Sequence, residues 1–220
     1  AVGLYDLKDG QLLRRKSVEL DITGDLTQVK ELSGEKLADL ILINDHDLTY
    51  AKIRFDARSI ATLKAHLGKL DDGLSRALCW SAAWDMFRDA ELSATDFVEI
   101  ALTGLAGEDD ITTVTALMSQ LNTAVEIYAA DKNRDPLREK VAGALLSLLK
   151  SAKAGSDHQL QFARSFAALA HSKEQGAEIR NILDGKFQDL KIDADLRWHL
   201  ILCLVERGLS TRAEIDAELK

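Results

Sequence analysis

Five histidines, two cysteines and a few acid pairs are the residues on which chemistry could rest. His46, His66, His158, His171 and His199 are each followed by a residue other than Glu, so no H-E-x-x-H zinc helix can be drawn. Cys79 and Cys203 form no C-x-x-C pair, which removes the common structural zinc patterns. Each sits in an apolar helical pattern and reads as a reduced core thiol, not as part of a disulfide framework. No G-x-S-x-G elbow, G-x-G-x-x-G loop or Walker A loop occurs. Asp71-Asp72 and Glu108-Asp109-Asp110 precede helical patterns, where carboxylates cap free N–H groups; that reading is preferred to a catalytic acid pair. Asn44-Asp45-His46-Asp47 imitates the start of a metal loop but lacks the further ligand positions and distal Glu of an EF-hand, so it reads as a turn. Trp80 and Trp84 stand four apart on one helical pattern, with Arg76 and Arg88 flanking them. Core packing explains the tryptophans, and an internally paired or solvated guanidinium the arginines. The other reading is a partner surface, with an Arg holding a peptide carboxylate. No catalytic or metal-ligating residue is assigned in this chain.

The elements that would position these residues divide the sequence in two. Residues 1–56 carry short apolar segments split at Asp9-Gly10 and Gly24; Asp-Gly between such runs is a hairpin signal. Leu40-Ile41-Leu42-Ile43 predicts a buried strand, and Tyr50 to Phe55 a short extended piece. So few strands make no core of their own, and the segment reads as the edge of a larger β unit.

From about Arg58 the apolar period becomes helical. Asp110 to Ala130 places Ile111, Val114, Met118, Leu121, Val125 and Tyr128 on one stripe. Asp135-Pro136 predicts the start of the next helix, with Asp as N-cap and Pro at the first helical position. Ser156-x-x-Gln159 predicts a capping box, and Ser93-x-x-Asp96 a weaker one. Further helices are predicted near Ser59–Leu67, Leu74–Ala90, Glu174–Leu183, Ala194–Arg207 and Thr211–Leu219. Those around Trp80 and Leu200 are apolar on most faces and are expected to lie between neighbours. A single Pro in 220 residues suits a mostly helical chain. With no strict repeat, the expected fold is mainly α, an irregular HEAT/armadillo-like stack of αα-hairpins preceded by a few β-strands.

Composition limits the partners. Apolar residues make up 46% and charged residues 29%, which excludes a disordered chain. The net charge of −8 argues against sequence-independent nucleic-acid binding, and no apolar run is long enough for a membrane span. No signal peptide is legible. The chain lacks an initiator Met and reads as a fragment or processed piece of a cytoplasmic protein.

Four blocks, LILINDHDLTYAKIRFD (Leu40 to Asp56), RALCWSAAWDMFRDAELSATDF (Arg76 to Phe97), GSDHQL (Gly155 to Leu160) and DLRWHLILCLV (Asp195 to Val205), resemble the C-terminal region of bacterial aminopeptidase N of the actinobacterial type, a gluzincin metallopeptidase. The resemblance spans essentially the whole chain. The family's boundary element runs N-x-x-x-x-G-Y-Y-R-V-x-Y-D. Asn44, Tyr50, Ile53, Phe55 and Asp56 fit it, whereas Thr49, Ala51 and Lys52 replace the Gly, second Tyr and Arg.

The resemblance implies residues 1–56 as the last strands of a β-sandwich domain plus linker, and residues 57–220 as an α-helical C-terminal domain. It implies a parent enzyme that releases N-terminal amino acids from peptides, with a zinc-polarised water as nucleophile and Glu as general base. The zinc ligands and catalytic residues would lie upstream, leaving this fragment inactive and without zinc. The helical domain would cover the active-site cleft and restrict substrate access. Partners would be the catalytic and β-sandwich domains of the same polypeptide and peptide substrates. Arg76, Trp80, Trp84 and Arg88 are the candidate interdomain or channel-facing residues. The alternative is a free-standing helical-repeat adaptor that binds protein or peptide partners.

Overall fold

A computed structural model describes residues 1–219. The described chain is mainly helical, with a small sheet ahead of the helices. It divides into two compact units, Ala1–Glu108 and Asp109–Lys220.

The first unit opens on a three-stranded antiparallel sheet of order β2-β1-β3, formed by β1 (Val2–Lys8), β2 (Gln11–Val18) and β3 (Leu40–Ile43). Asp9 and Gly10 join β1 to β2 with φ of 51° and 80°. Positive φ at both loop positions marks the type I′ turn that suits strand twist and that Asp-Gly favours. A register shift at Leu4/Tyr5 leaves Arg15 without a partner on β1, as in a bulge. Leu40 and Leu42 are fully buried, but Ile43 is 37% exposed. The apolar run Leu40–Ile43 is therefore buried on one face only, because its alternate residues Ile41 and Ile43 lie on the less covered face of the sheet. The outer edge of β3 is closed by hydroxyls of α1 (Ala57–His66): the Ile41 amide donates to Ser59 Oγ at 3.1 Å, and Thr62 Oγ1 donates to the Asp39 carbonyl at 2.6 Å. No strand forms over Tyr50–Phe55, where Ile53 and Phe55 are buried and the Phe55 amide reaches Met86 Sδ.

The sheet has no separate core. Tyr5, Leu40 and Leu42 share a unit with α1, α2 (Gly73–Arg88) and α3 (Ala94–Leu105), whose Leu63, Cys79, Trp80, Phe97 and Ile100 are buried. Asp56, Asp72 and Ser93 cap the three helices through their side chains, as their residue types favour.

The second unit holds α4 (Ile111–Thr123), α5 (Asp131–Ser151), α6 (Asp157–Leu169), α7 (Lys173–Leu183), α8 (Ala194–Glu206) and α9 (Arg212–Glu218). Asp110 caps α4 by accepting from the Thr112 and Thr113 amides. A π-helical turn, Ala124–Tyr128, follows α4. Its wider turn rotates the chain off the α-helical stripe, so Val125 stays buried while Tyr128 is 53% exposed, contrary to the expected six-residue stripe.

The helix expected at Asp135-Pro136 begins at Asp131, which leaves Pro136 inside α5. The Arg134–Asp131 and Arg138–Asp135 pairs support this early turn. Ser156 caps α6, yet Gln159 turns its side chain to Gly155 and Gln188 and not back to the cap. Complete capping boxes form instead at Ser172/Gln175 and Thr211/Glu214. In α8, Leu196, Leu200, Ile201 and Leu204 are buried, whereas Leu202 and Val205 are exposed, so this helix has a solvent side. Among the described residues, no helix is long and apolar enough to cross a membrane.

Candidate functional site

Arg76, Trp80, Trp84 and Arg88 sit along α2 at steps of four. With 3.6 residues per turn, each step drifts about 40° around the helix, so the row winds from inside to outside. Arg76 donates to the Leu70 and Asp71 carbonyls at 2.8 and 2.9 Å, and its guanidinium lies 3.2 Å from Glu108. Both partners are nearly buried, at 14% and 6% side-chain exposure. The pair ties the start of α2 to the end of the first unit.

Trp80 is buried, its indole N–H donating to the Ile100 carbonyl at 3.3 Å. Gly104 lets the ring approach: a Cβ there would stand 2.6 Å from Trp80 Cζ2. Trp84 is half-buried, with ring centroids 5.5 Å from Phe87 and 5.3 Å from Phe97, within the range of favourable aromatic pairing. Arg88 is exposed in the last turn, where a cation complements the helix dipole. The structure thus brings Trp80 and Trp84 into packing, encloses Arg76, and leaves Arg88 to solvent.

The Asn44–Asp47 turn is a structural knot. Asn44, His46 and Asp47 have φ of 60°, 75° and 54°. The Asn44 side chain spans the turn, with Nδ2 donating to the Thr49 carbonyl and Oδ1 accepting from the Thr49 amide. Asp45 is fully buried. Its Oδ1 accepts from Tyr5 Oη at 2.8 Å and from Ser75 Oγ at 3.3 Å, and its Oδ2 pairs with Arg14 Nη1 at 3.0 Å. Arg14 Nη1 also reaches His46 Nε2 at 2.9 Å. Asp45 holds the Arg14 guanidinium above its ordinary range, and burial pushes the Tyr5 phenol well above 10. Gly3 makes room for the carboxylate, since a Cβ there would stand 2.2 Å from Asp45 Oδ2. The buried charge is answered by an arginine and two hydroxyls, the arrangement that makes such burial tolerable.

A groove in the second unit draws on α4, α6 and α8. A cavity of about 270 Å³ is bounded by Ser119, Asn122, Gln161, Arg164, Ser165 and His199. Another of about 460 Å³ shares Asn122 and His199 and adds Glu126, Leu202, Cys203 and Arg207. His199 Nε2 stands 3.0 Å from the Arg164 carbonyl and 3.8 Å from Cys203 Sγ. Arg207 donates to the Ala168 carbonyl and keeps Nε buried without a partner. Glu126 is gripped by Arg138, which holds its carboxyl below the ordinary range, and Glu126 in turn holds the Arg138 guanidinium above its own. Burial pushes the Cys203 thiol up to about 11 and the Cys79 thiol higher still. The lining offers amide, hydroxyl and guanidinium groups able to bind an extended polypeptide backbone. Sequence reasoning missed this set because its members lie on separate helices with no shared spacing.

Among the described residues, no group of three or more His, Cys, Asp or Glu side chains could hold a metal ion.

A family model described as ERAP1-like C-terminal domain matches residues 40–220. A curated relative, the aminopeptidase N of Streptomyces lividans, is 43% identical over 99% of this chain. The chain spans 26% of that relative's length. The family model's match extends from β3 through the helices that follow it, well over half of the chain, so the chain belongs to the ERAP1-like C-terminal domain family.

Proposed function

We propose that this chain is the non-catalytic C-terminal part of a zinc-dependent aminopeptidase N that releases N-terminal amino acids from peptides. One observation carries the reading. The match takes in nearly the whole of this chain and about a quarter of the relative, so the parent's chemistry is assigned to polypeptide beyond residues 1–220. The zinc ligands are assigned there too, and the fragment alone is inactive. Its partners are the catalytic and β-sandwich domains of the same polypeptide and peptide substrates, in the cytoplasm. Residues 1–56 are assigned to the end of the β-sandwich, and residues 57–220 to a helical domain that covers the active-site cleft and limits substrate access. Of the four α2 residues, Trp84 and Arg88 retain the exposure needed to meet the rest of the polypeptide.

The test compares two proteins. The full-length polypeptide should hydrolyse aminoacyl anilides, lose that activity to a chelator and regain it with Zn²⁺. Residues 1–220 should hydrolyse none and bind no stoichiometric zinc. Chelator-sensitive hydrolysis by residues 1–220 would overturn the reading.

A further inference from the structure

Helix α9 is seated differently from the two helices before it. Those bury apolar side chains, Ile179 and Ile182 on α7 and Leu200 and Leu204 on α8 among them, whereas α9 buries none of its residues. Its inward positions are Glu214, Ile215 and Glu218, each half-buried. Carboxylates thus hold two of the three places that a surface helix ordinarily gives to apolar residues. Each carboxylate reaches a different helix. Glu214 Oε1 accepts from Arg180 Nε and Nη2 of α7 at 3.2 and 3.1 Å, and Glu218 accepts from Arg197 of α8 through both oxygens, at 2.7 Å each. The second pair is the two-pronged form in which guanidinium and carboxylate match best. The two guanidiniums are 39% and 38% exposed, so dissolved ions reach them. The chain ahead of α9 is fixed by other means. Gly208 follows α8 with φ of 66°, and the Leu209 amide donates to the Leu204 carbonyl at 2.8 Å, the closure that a glycine after a helix permits. The Leu209 side chain lies against Gly176 of α7, where a Cβ would stand 2.7 Å from Leu209 Cδ1. The apolar anchor is Leu209, and ionic clamps take over beyond it.

We infer that α9 is a charge-held strap, hinged after Leu209, that comes off α7 and α8 when its two clamps are screened and so bares Arg180 and Arg197. The reach of a charge falls from about 10 Å at 0.1 M salt to about 3 Å at 1 M. A helix of seven residues is marginal without its packing, so α9 unwinds as it leaves. The faces of α7 and α8 that pack in the unit are apolar and stay in place. Glu214 and Glu218 are four residues apart, so the bared guanidiniums are set to answer carboxylates one helical turn apart. The strap stands on the contacts of α7, α8 and α9 and not on the enzyme reading.

The test is amide exchange of the full-length polypeptide, compared at about 0.1 M and about 1 M NaCl. Amides of residues 214–218 should exchange about fivefold faster at the higher salt, while those of Ile179 and Leu200 keep their rates. Glu218→Gln should give the faster exchange already at low salt and weaken the salt response. Arg197→Glu should do the same, and adding Glu218→Arg to it should restore slow exchange at low salt. An arginine that only fills space would allow no such rescue. Exchange over residues 214–218 that ignores salt would overturn the strap. So would opening of Ile179 and Leu200 together with α9, or a swapped pair that exchanges as fast as Arg197→Glu alone.

Discussion

The carboxylate of Asp45 illustrates how one side chain organises its surroundings. It is fully buried, yet Tyr5, Ser75 and Arg14 all reach it. Removing it strands a buried phenol and a guanidinium, so Asp45→Ala should destabilise the protein by about 3 kcal/mol, measured by denaturant unfolding. Tyr5→Phe, which keeps the ring, should cost about 1 kcal/mol. The sequence marked Asn44–Asp47 as a turn, and the structure agrees. It could not show that Asp45 points inward, because the answering residues come from two strands and a helix far away in the chain. The α2 row shows a related limit of spacing. Equal spacing made Arg76, Trp80, Trp84 and Arg88 look alike, while helical drift gives each a different environment.

At the scale of elements the sequence was largely readable, since apolar period and cap residues act locally. Among the described residues, eight of the α-helices, all but α5, begin or end within a residue or two of where period and caps placed them. The misses are local competitions. Asp-Pro is a strong start signal, yet α5 begins a turn earlier and forgoes the bond Pro136 cannot donate. Pro136→Ala should therefore stabilise the second unit by about 1–3 kcal/mol, read as a rise in its melting temperature. At the other end, the Thr211 amide and hydroxyl hold Glu214 at about 2, below its ordinary 4.5. A carboxylate depressed in the folded state adds stability that is present above 4.5 and lost as pH falls toward 2. Amide protection in α9 should fade across that window, and Glu214→Gln should remove the dependence.

At the scale of the whole molecule, the proposed peptidase reading gives the helical groove a part that can be tested. On that proposed reading, the side-chain donors lining the groove of α4, α6 and α8 hold a peptide's backbone away from the reaction itself. Arg164→Glu in the full-length enzyme should raise KM severalfold for a ten-residue peptide and leave aminoacyl anilide hydrolysis unchanged. Equal effects on both substrates would assign Arg164 a purely structural part, through its contact with Asp195. Nothing in the sequence flagged this groove, because sites assembled across helices leave no pattern along the chain. The two cysteines carry a practical consequence. Both are buried and protonated at neutral pH, so they stay silent toward maleimides in the folded state. A single thiol engineered onto the surface can therefore carry a fluorophore or spin label with the native pair left in place.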